Sequence, residues 1–216
     1  DYNVAQILAV DRYTHEDESR DTVIAVRELD RTGLATDQRN WVNDHTVYTH
    51  GFGVVAAYGN QIGVEGRPAF FEGGIPSVGA LTDSSKDGYE PRIYFSPMAP
   101  AYSIVGAPEG TEARALDYPT DGGSGQVNTT FPTRDISVGP SVGNTWNKLL
   151  FAIKFQAEQI VFSALVNEDS QIIYERDPAK RVAKVAPYLT LDNRVYPAVI
   201  DGRVKWIIDG YTTTNS

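Results

Sequence analysis

The first third of the chain alternates apolar and polar positions in short runs, which is the pattern of β-strands. Residues 21–29 (DTVIAVREL) are the clearest example, and the apolar run over residues 3–10 predicts the other strand of a hairpin, or less favourably a short helix. Residues 46–58 continue the alternation. Gly51 and Gly53 interrupt this segment, so we expect a bulge or a close approach of two backbones there.

Glycine and proline are concentrated in the middle of the chain, which predicts long loops joined by short strands. Residues 59–91 and 117–130 are the most loop-like stretches. Residues 92–95 (RIYF) and 102–105 (YSIV) lie between them and predict two strands that pair with each other.

The pattern changes near Asn144, where apolar residues begin to recur at helical spacing. These residues are Trp146, Leu149, Leu150, Ile153, Ala157, Ile160, Val161 and Ala164. Because phenylalanines occupy other faces of the same stretch, we expect two helices with a bend that are buried on most sides. Asp177 and Pro178 predict the start of another helix, since an acidic N-cap and a proline in the first turn favour helix initiation.

The C-terminal segment carries a strong hairpin signal. Two β-rich runs, residues 195–200 and 203–208, are separated by Asp201 and Gly202, which suit a two-residue type I′ turn. The sequence as a whole therefore predicts an α+β fold in a single domain over residues 1–216. Antiparallel strands with long loops fill the first two thirds, helices are concentrated after residue 144, and a β-hairpin follows.

Composition narrows the functional classes. The formal net charge of −9 disfavours a nucleic-acid partner, because a polyanion is repelled by an acidic protein. The sequence has neither a phosphate-binding glycine loop nor a dinucleotide fingerprint, so we expect no nucleotide. It has no cysteine, which excludes disulfides, thiolate metal sites and cysteine nucleophiles. No cofactor is predicted.

The sequence does not predict a membrane span within these residues. The most apolar segment, residues 149–166, is interrupted by Lys154, Glu158 and two glutamines, which are unfavourable in a bilayer. The chain begins at Asp1 without a leader, so we expect a soluble piece of a larger protein.

Several blocks distributed along the whole chain resemble the UPF0182 family of uncharacterised multi-pass bacterial membrane proteins. The blocks are residues 47–57, 91–95, 102–106, 148–155, 176–178, 185–189 and 204–213. The resemblance implies transmembrane helices N-terminal to this chain, localisation at the cell membrane with this domain outside the cytoplasm, and the transmembrane part of the same protein as a partner. It implies no chemistry and no catalytic residues.

Ser141 is the one candidate nucleophile. Residues 139–143 match the G-x-S-x-G pattern between a possible strand, residues 136–138, and a helix. That scaffold requires a histidine after the serine, however, and every histidine precedes it. The favoured interpretation is a glycine-rich helix entry capped by Ser141 or Asn144.

His45 and His50 are the candidate metal ligands. Their separation of five residues suits neither one face of a helix nor one face of a strand, so hydrogen bonding to a loop or exposure to solvent is favoured. Glu65 and Glu72 could serve as the acid and base of a glycosidase, a hypothesis that depends on the distance between them.

Two groups of side chains are candidate binding surfaces. The aromatic residues near the glycine-rich bends either line a groove or belong to the core; they are Tyr48, Phe52, Tyr58, Phe70 and Phe71. The basic residues around the Pro178 helix either face anionic lipid headgroups or form a solvated helix face, which is favoured; they are Arg176, Lys180, Arg181 and Lys184.

The function predicted from these features is a non-enzymatic binding or interaction domain outside the cytoplasm. It would engage another envelope protein or an envelope component such as a lipid or glycan. The alternatives are a serine hydrolase that uses Ser141 and a purely structural domain that braces the transmembrane part.

Overall fold

The fold is taken from a computed structural model that describes residues 2–4, 8–15, 18–83, 88–120 and 125–213. The described strands are β1 (Tyr2–Val4), β2 (Ala9–His15), β3 (Glu18–Leu29), β4 (Gly51–Phe52), β5 (Val54–Ile62), β6 (Pro68–Gly73), β7 (Val78–Gly79), β8 (Arg92–Ile93), β9 (Tyr102–Val105), β10 (Ala115–Pro119), β11 (Gln126–Thr129), β12 (Gln171–Tyr174), β13 (Thr190–Ile200) and β14 (Arg203–Tyr211). The described helices are α1 (Ala80–Asp83), α2 (Thr145–Phe155), α3 (Gln159–Phe162) and α4 (Pro178–Val185). Shorter turns are the 3₁₀ segments Thr36–Gln38 and Val64–Gly66 and the π-helical segment Asn43–Val47.

The α+β class is confirmed, and every pairing between the named strands is antiparallel. The chain divides into two compact units, each built from separate stretches of sequence. The helical unit contains Arg31–Thr49 and Ala99–Arg176, and the sheet unit contains Tyr2–Asp30, His50–Met98 and Asp177–Ser216. The single domain over residues 1–216 stays a prediction.

The sheet unit is organised by a six-stranded sheet in the order β1-β3-β5-β6-β7, with β2 also paired to β3. One face of this sheet carries the core, which contains Ile24 and Val26 from β3 and Val54 and Ala56 from β5. The C-terminal hairpin of β13 and β14 contributes Val199 to the same core. The predicted C-terminal hairpin of β13 and β14 is confirmed. An N-terminal hairpin is also present, but its first strand is Ala9–His15 and not residues 3–10 as predicted.

The turn of the C-terminal hairpin has the conformation that its sequence demands. Asp201 and Gly202 have φ angles of 52° and 69°, and both lie in the left-handed region that a type I′ turn requires.

A positive φ also explains the break between β4 and β5. Gly53 has a φ of 86°, and a Cβ atom at this position would lie 2.5 Å from the Ser77 hydroxyl.

The helical unit contains α2, α3 and a second core. The side chain of Asn144 accepts a hydrogen bond from the backbone N–H of Asn147, so the predicted N-cap of α2 is confirmed. Gln156 ends the helix in the left-handed conformation, and α3 follows after the predicted bend. Ile160 and Ile172 are completely buried in this core.

Two local predictions are wrong. Residues 92–95 and 102–105 do not pair with each other: β8 pairs with β4, and β9 pairs with β12. Residues 117–130 are not loop throughout, since β10 and β11 form an antiparallel pair on either side of residues outside the described part of the chain. In the first case the true partners are distant in sequence, so local pattern could not identify them.

Candidate functional site

Ser141 is exposed and lies at the entry to α2. Its hydroxyl accepts a hydrogen bond from the Gly143 N–H at 3.2 Å, and its backbone forms a bridge to Gln171. The expected strand over residues 136–138 is absent from this described part of the chain, so the segment lacks the strand-to-helix turn of a nucleophile elbow. This arrangement is a helix entry, with Asn144 as the cap.

His45 belongs to the π-helical segment of the helical unit. Its Nδ1 donates to the backbone oxygen of Tyr102 at 3.0 Å, and its ring stacks on the Tyr102 ring with centroids 3.9 Å apart. Burial lowers the pKa of His45 below its usual value, and this effect outweighs the hydrogen bond to Tyr102. The imidazole is therefore neutral near pH 7 and is held in place by Tyr102.

His50 is buried in the sheet unit, where its ring contacts that of Tyr94 at 4.8 Å between centroids. His45 and His50 thus belong to different units. Across the described residues, no group of three or more histidine, aspartate or glutamate side chains is arranged to hold a metal ion.

Glu65 and Glu72 have different surroundings. Glu65 is exposed and forms a loose ion pair with Arg67 at 3.5 Å. Glu72 is buried, and its Oε2 accepts hydrogen bonds from the backbone N–H groups of Leu81 and Thr82 at 2.9 and 3.2 Å. It therefore caps α1 from a neighbouring strand, and its other oxygen, Oε1, is buried without a hydrogen-bond partner.

Glu72 belongs to a buried polar cluster that the sequence did not reveal. Arg27 donates to the hydroxyl of Ser77 at 3.3 Å, and Tyr89 interacts electrostatically with both Glu72 and Arg27. Burial is the main cause of three pKa changes: it raises the pKa of Glu72 and Tyr89 and lowers that of Arg27. These residues are far apart in sequence, so no local motif predicts the cluster.

Arg176 does not belong to the predicted basic surface. It is only 2% exposed, and its guanidinium group donates to the hydroxyl of Ser103 at 2.7 Å and to the backbone oxygen of Thr49. The physical reason is its position before the N-cap Asp177, which places Arg176 outside the helix despite the four-residue spacing. Lys180, Arg181 and Lys184 lie within α4 and are exposed.

The five candidate aromatic residues divide between core and surface. Phe52 is buried, and Phe71 packs against the core of the sheet unit. Tyr58 contacts the Phe71 ring at 4.7 Å between centroids, and Phe70 is exposed. Tyr48, at the end of the π-helical segment, is half-buried in the helical unit.

The second face of the six-stranded sheet carries an apolar row, next to an exposed ion pair between Arg12 and Asp21 at 2.8 Å. The strand register aligns Val10, Val23, Ala57 and Phe70 in one row across β2, β3, β5 and β6. These positions alternate with the core residues along each strand and so point away from the core.

This second face contains a cavity of about 460 Å3. Its lining, within the described part of the chain, has no charged side chain; the residues are Leu8, Val23, Ala25, Val55, Ala56, Ala57, Tyr58, Gly59, Gln61, Ile62, Gly66, Pro68 and Phe70. Tyr58 and Gln61 supply the polar side-chain groups. A mostly apolar cavity with few polar groups is the usual form of a site for a small molecule.

Helix α2 is apolar on two opposite sides. Phe151, Ala152 and Phe155 pack against the core of the helical unit. The residues Trp146, Leu149, Leu150 and Ile153 are exposed. The prediction that this region is buried on most sides is therefore wrong, because helical periodicity does not distinguish a stripe that meets the core from one that meets solvent.

Among the described helices, none is long and apolar enough to cross a membrane.

These features define an α+β protein with two open apolar surfaces. The sequence profile of the uncharacterised protein family UPF0182 matches residues 2–216, and the chain belongs to this family. The resemblance noted from the sequence blocks is thereby confirmed.

Curated relatives share the whole of this chain. A UPF0182 protein of Bifidobacterium adolescentis is 62% identical over 215 residues, which are 100% of this chain and 19% of that protein. A UPF0182 protein of Leifsonia xyli is 52% identical and one of Tropheryma whipplei is 50% identical, each over 99% of this chain and 21% of the relative. The chain therefore spans about a fifth of their length. No solved structure matches it.

Proposed function

We propose that this chain is a non-enzymatic binding domain that lies outside the cytoplasm as part of a multi-pass membrane protein. Its ligand is an envelope component with an alkyl chain, such as a lipid. The observation that carries the proposal is the uncharged cavity of about 460 Å3 on the second face of the sheet. Its size falls within the range of about 300–1,000 Å3 that is usual for small-molecule sites.

The lining favours an alkyl chain over a sugar or a nucleotide. A glycan needs several hydrogen-bonding groups and a phosphate needs positive charge, whereas the described residues that line this cavity offer two polar side chains, those of Tyr58 and Gln61. Burial of an apolar chain against Val23, Val55 and Phe70 is favourable by about 0.8 kcal/mol for each methylene. The hydrolase alternative has less support, since residues 136–138 form no strand and Ser141 therefore does not lie on a strand-to-helix turn.

A chain-length series tests this function directly. Displacement of a fluorescent fatty acid by saturated fatty acids of increasing length should show affinity that rises about fourfold for each added methylene until the cavity is filled. The corresponding alcohols should follow the same slope, because the chain and not the headgroup is bound.

Two variants locate the site. Val23→Trp fills the cavity and should weaken binding at least tenfold, whereas Val64→Trp lies on the exposed 3₁₀ turn outside the cavity lining and should leave binding unchanged. Circular dichroism checks that both variants retain the fold. Affinity that is independent of chain length, or equal loss in the two variants, would contradict the proposal.

A further inference from the structure

The outer face of α2 is a continuous apolar stripe. Trp146, Leu149, Leu150 and Ile153 are spaced by three, one and three residues, which places them on one side of the helix. Their exposed fractions are 68%, 44%, 49% and 68%. With side-chain areas of about 150–250 Å2 each, these fractions leave on the order of 400 Å2 of apolar surface in contact with water.

This area fits a lipid surface better than a second copy of the chain. A stable protein dimer buries about 800 Å2 on each partner, roughly twice what the stripe offers. A contiguous apolar patch of about 400 Å2 lies within the range of about 300–600 Å2 that is usual for the largest patch on a monomer, and such patches are often functional. Partitioning into a bilayer interface has no such threshold, since each apolar side chain contributes according to its own area.

The charges of α2 also suit a lipid surface. The helix has no acidic residue, although the whole chain has a net charge of −9. Of its two lysines, Lys148 donates to the backbone oxygen of Val166 at 2.6 Å, so Lys154 is the one that can face headgroups. Lys154 is exposed on the flank of the stripe, and its Nζ lies 3.9 Å from the centre of the Tyr174 ring. An exposed tryptophan beside lysine is the combination found where helices rest in the headgroup region.

We propose that α2 lies in the plane of a lipid bilayer surface, with the stripe of Trp146, Leu149, Leu150 and Ile153 inserted among the headgroups. The lysine at the flank strengthens binding to anionic lipids. This contact belongs to the helical unit, and it does not depend on the alkyl-chain cavity of the sheet unit, which has its own test.

Vesicle binding by the 216-residue chain tests the proposal. Trp146 is the natural reporter because the other two tryptophans are half-buried: Trp41 donates to the Tyr102 hydroxyl and Trp206 to the backbone oxygen of Phe95. Added vesicles of phosphatidylcholine and phosphatidylglycerol in equal parts should shift the emission to the blue and carry the protein into the pellet. Lys154→Gln should weaken this binding about fivefold and have little effect with phosphatidylcholine alone.

The matched variants separate the stripe from apolar exposure in general. The double variant Leu149→Ser/Ile153→Ser keeps the reporter and should lower vesicle partitioning more than tenfold. Ile136→Ser is the control, because Ile136 is 53% exposed in the same unit but lies outside α2. It should bind like the parent chain.

Three results would overturn the proposal. The first is an absence of vesicle binding by the parent chain. The second is equal partitioning of the parent and the double variant, or equal loss in the control. The third is self-association in sedimentation that the double variant abolishes, which would assign the stripe to a second copy of the chain.

Discussion

At the scale of single residues, burial and hydrogen bonding act on the Glu72 carboxyl group in opposite directions. Removal from water raises its pKa above the ordinary value of 4.5, while the hydrogen bonds from Thr82 and Leu81 lower it. Burial is the larger effect, so the folded protein holds the proton on Glu72 more tightly than the unfolded chain does. This difference links folding stability to pH.

We therefore expect Glu72 to reduce stability as the pH rises. Above a pH of about 4.5 the unfolded chain loses this proton before the folded protein does, so the free energy of unfolding falls as the pH rises through the raised pKa of the folded state. Glu72→Gln cannot ionise, and relative to the parent it should gain stability between acidic and neutral pH. Urea unfolding over this range measures the difference.

Glu65→Gln is the control for this measurement, because Glu65 is exposed and pairs only loosely with Arg67. As a substitution of an exposed side chain, it should leave the free energy of unfolding close to that of the parent. A Glu72→Gln variant whose relative stability is flat with pH, or falls as the pH rises, would contradict the assignment.

Single residues also show why sequence alone misplaced part of the candidate surface. Arg176 and Lys180 are four residues apart, and the pattern treated them alike. The N-cap at Asp177 separates them, so Lys180 lies on the helix and Arg176 enters a buried network with Ser103. A spacing rule applies only inside a helix, and the partner of Arg176 is distant in sequence.

At the scale of elements, the sequence predicted the helix starts and the turn that depend on neighbouring residues. The caps Asn144 and Asp177 marked the starts of α2 and α4, and Asp201-Gly202 marked the C-terminal hairpin. Pairing of β9 with β12 depends on packing between distant segments and was not predicted. The exposure of one face of α2 was missed because both of its sides are apolar.

The break between β4 and β5 gives an element-scale prediction. Gly53 and Gly66 both have positive φ angles, 86° and 74°, so alanine at either position should cost about 1–2 kcal/mol in backbone strain. At Gly53 the added Cβ would also lie 2.5 Å from the Ser77 hydroxyl, whereas at Gly66 no atom lies within 4 Å. Gly53→Ala should therefore be more destabilising than Gly66→Ala by at least about 1 kcal/mol.

Chemical denaturation of the two alanine variants measures this difference. Gly66→Ala serves as the internal reference for the conformational strain alone. Equal losses of stability would mean that Ser77 moves aside without cost and that the close contact at the break does not hold the two strands in place.

At the scale of the whole molecule, four fifths of each relative lies outside this chain. The open sheet face and the α2 stripe are therefore surfaces of one part of a longer protein. Of the five aromatic residues that the sequence offered for a groove or for the core, Tyr58 and Phe70 line the cavity. The binding role stays a prediction. The sequence did not predict the α2 stripe.

The predicted placement of this domain outside the cytoplasm determines which face of the membrane it can contact, and it can be tested directly. Alkaline phosphatase folds only where its disulfides form, which is outside the cytoplasm. Fused to the full-length relative from Bifidobacterium adolescentis, immediately after the segment that corresponds to this chain, it should be active in a Gram-negative host. Green fluorescent protein at the same junction should be dark. Alkaline phosphatase with and without its own signal peptide calibrates the two limits. If the green fluorescent protein fusion is fluorescent and the phosphatase fusion is inactive, the domain lies in the cytoplasm. The bilayer lipids that it could then bind are those of the cytoplasmic face of the membrane.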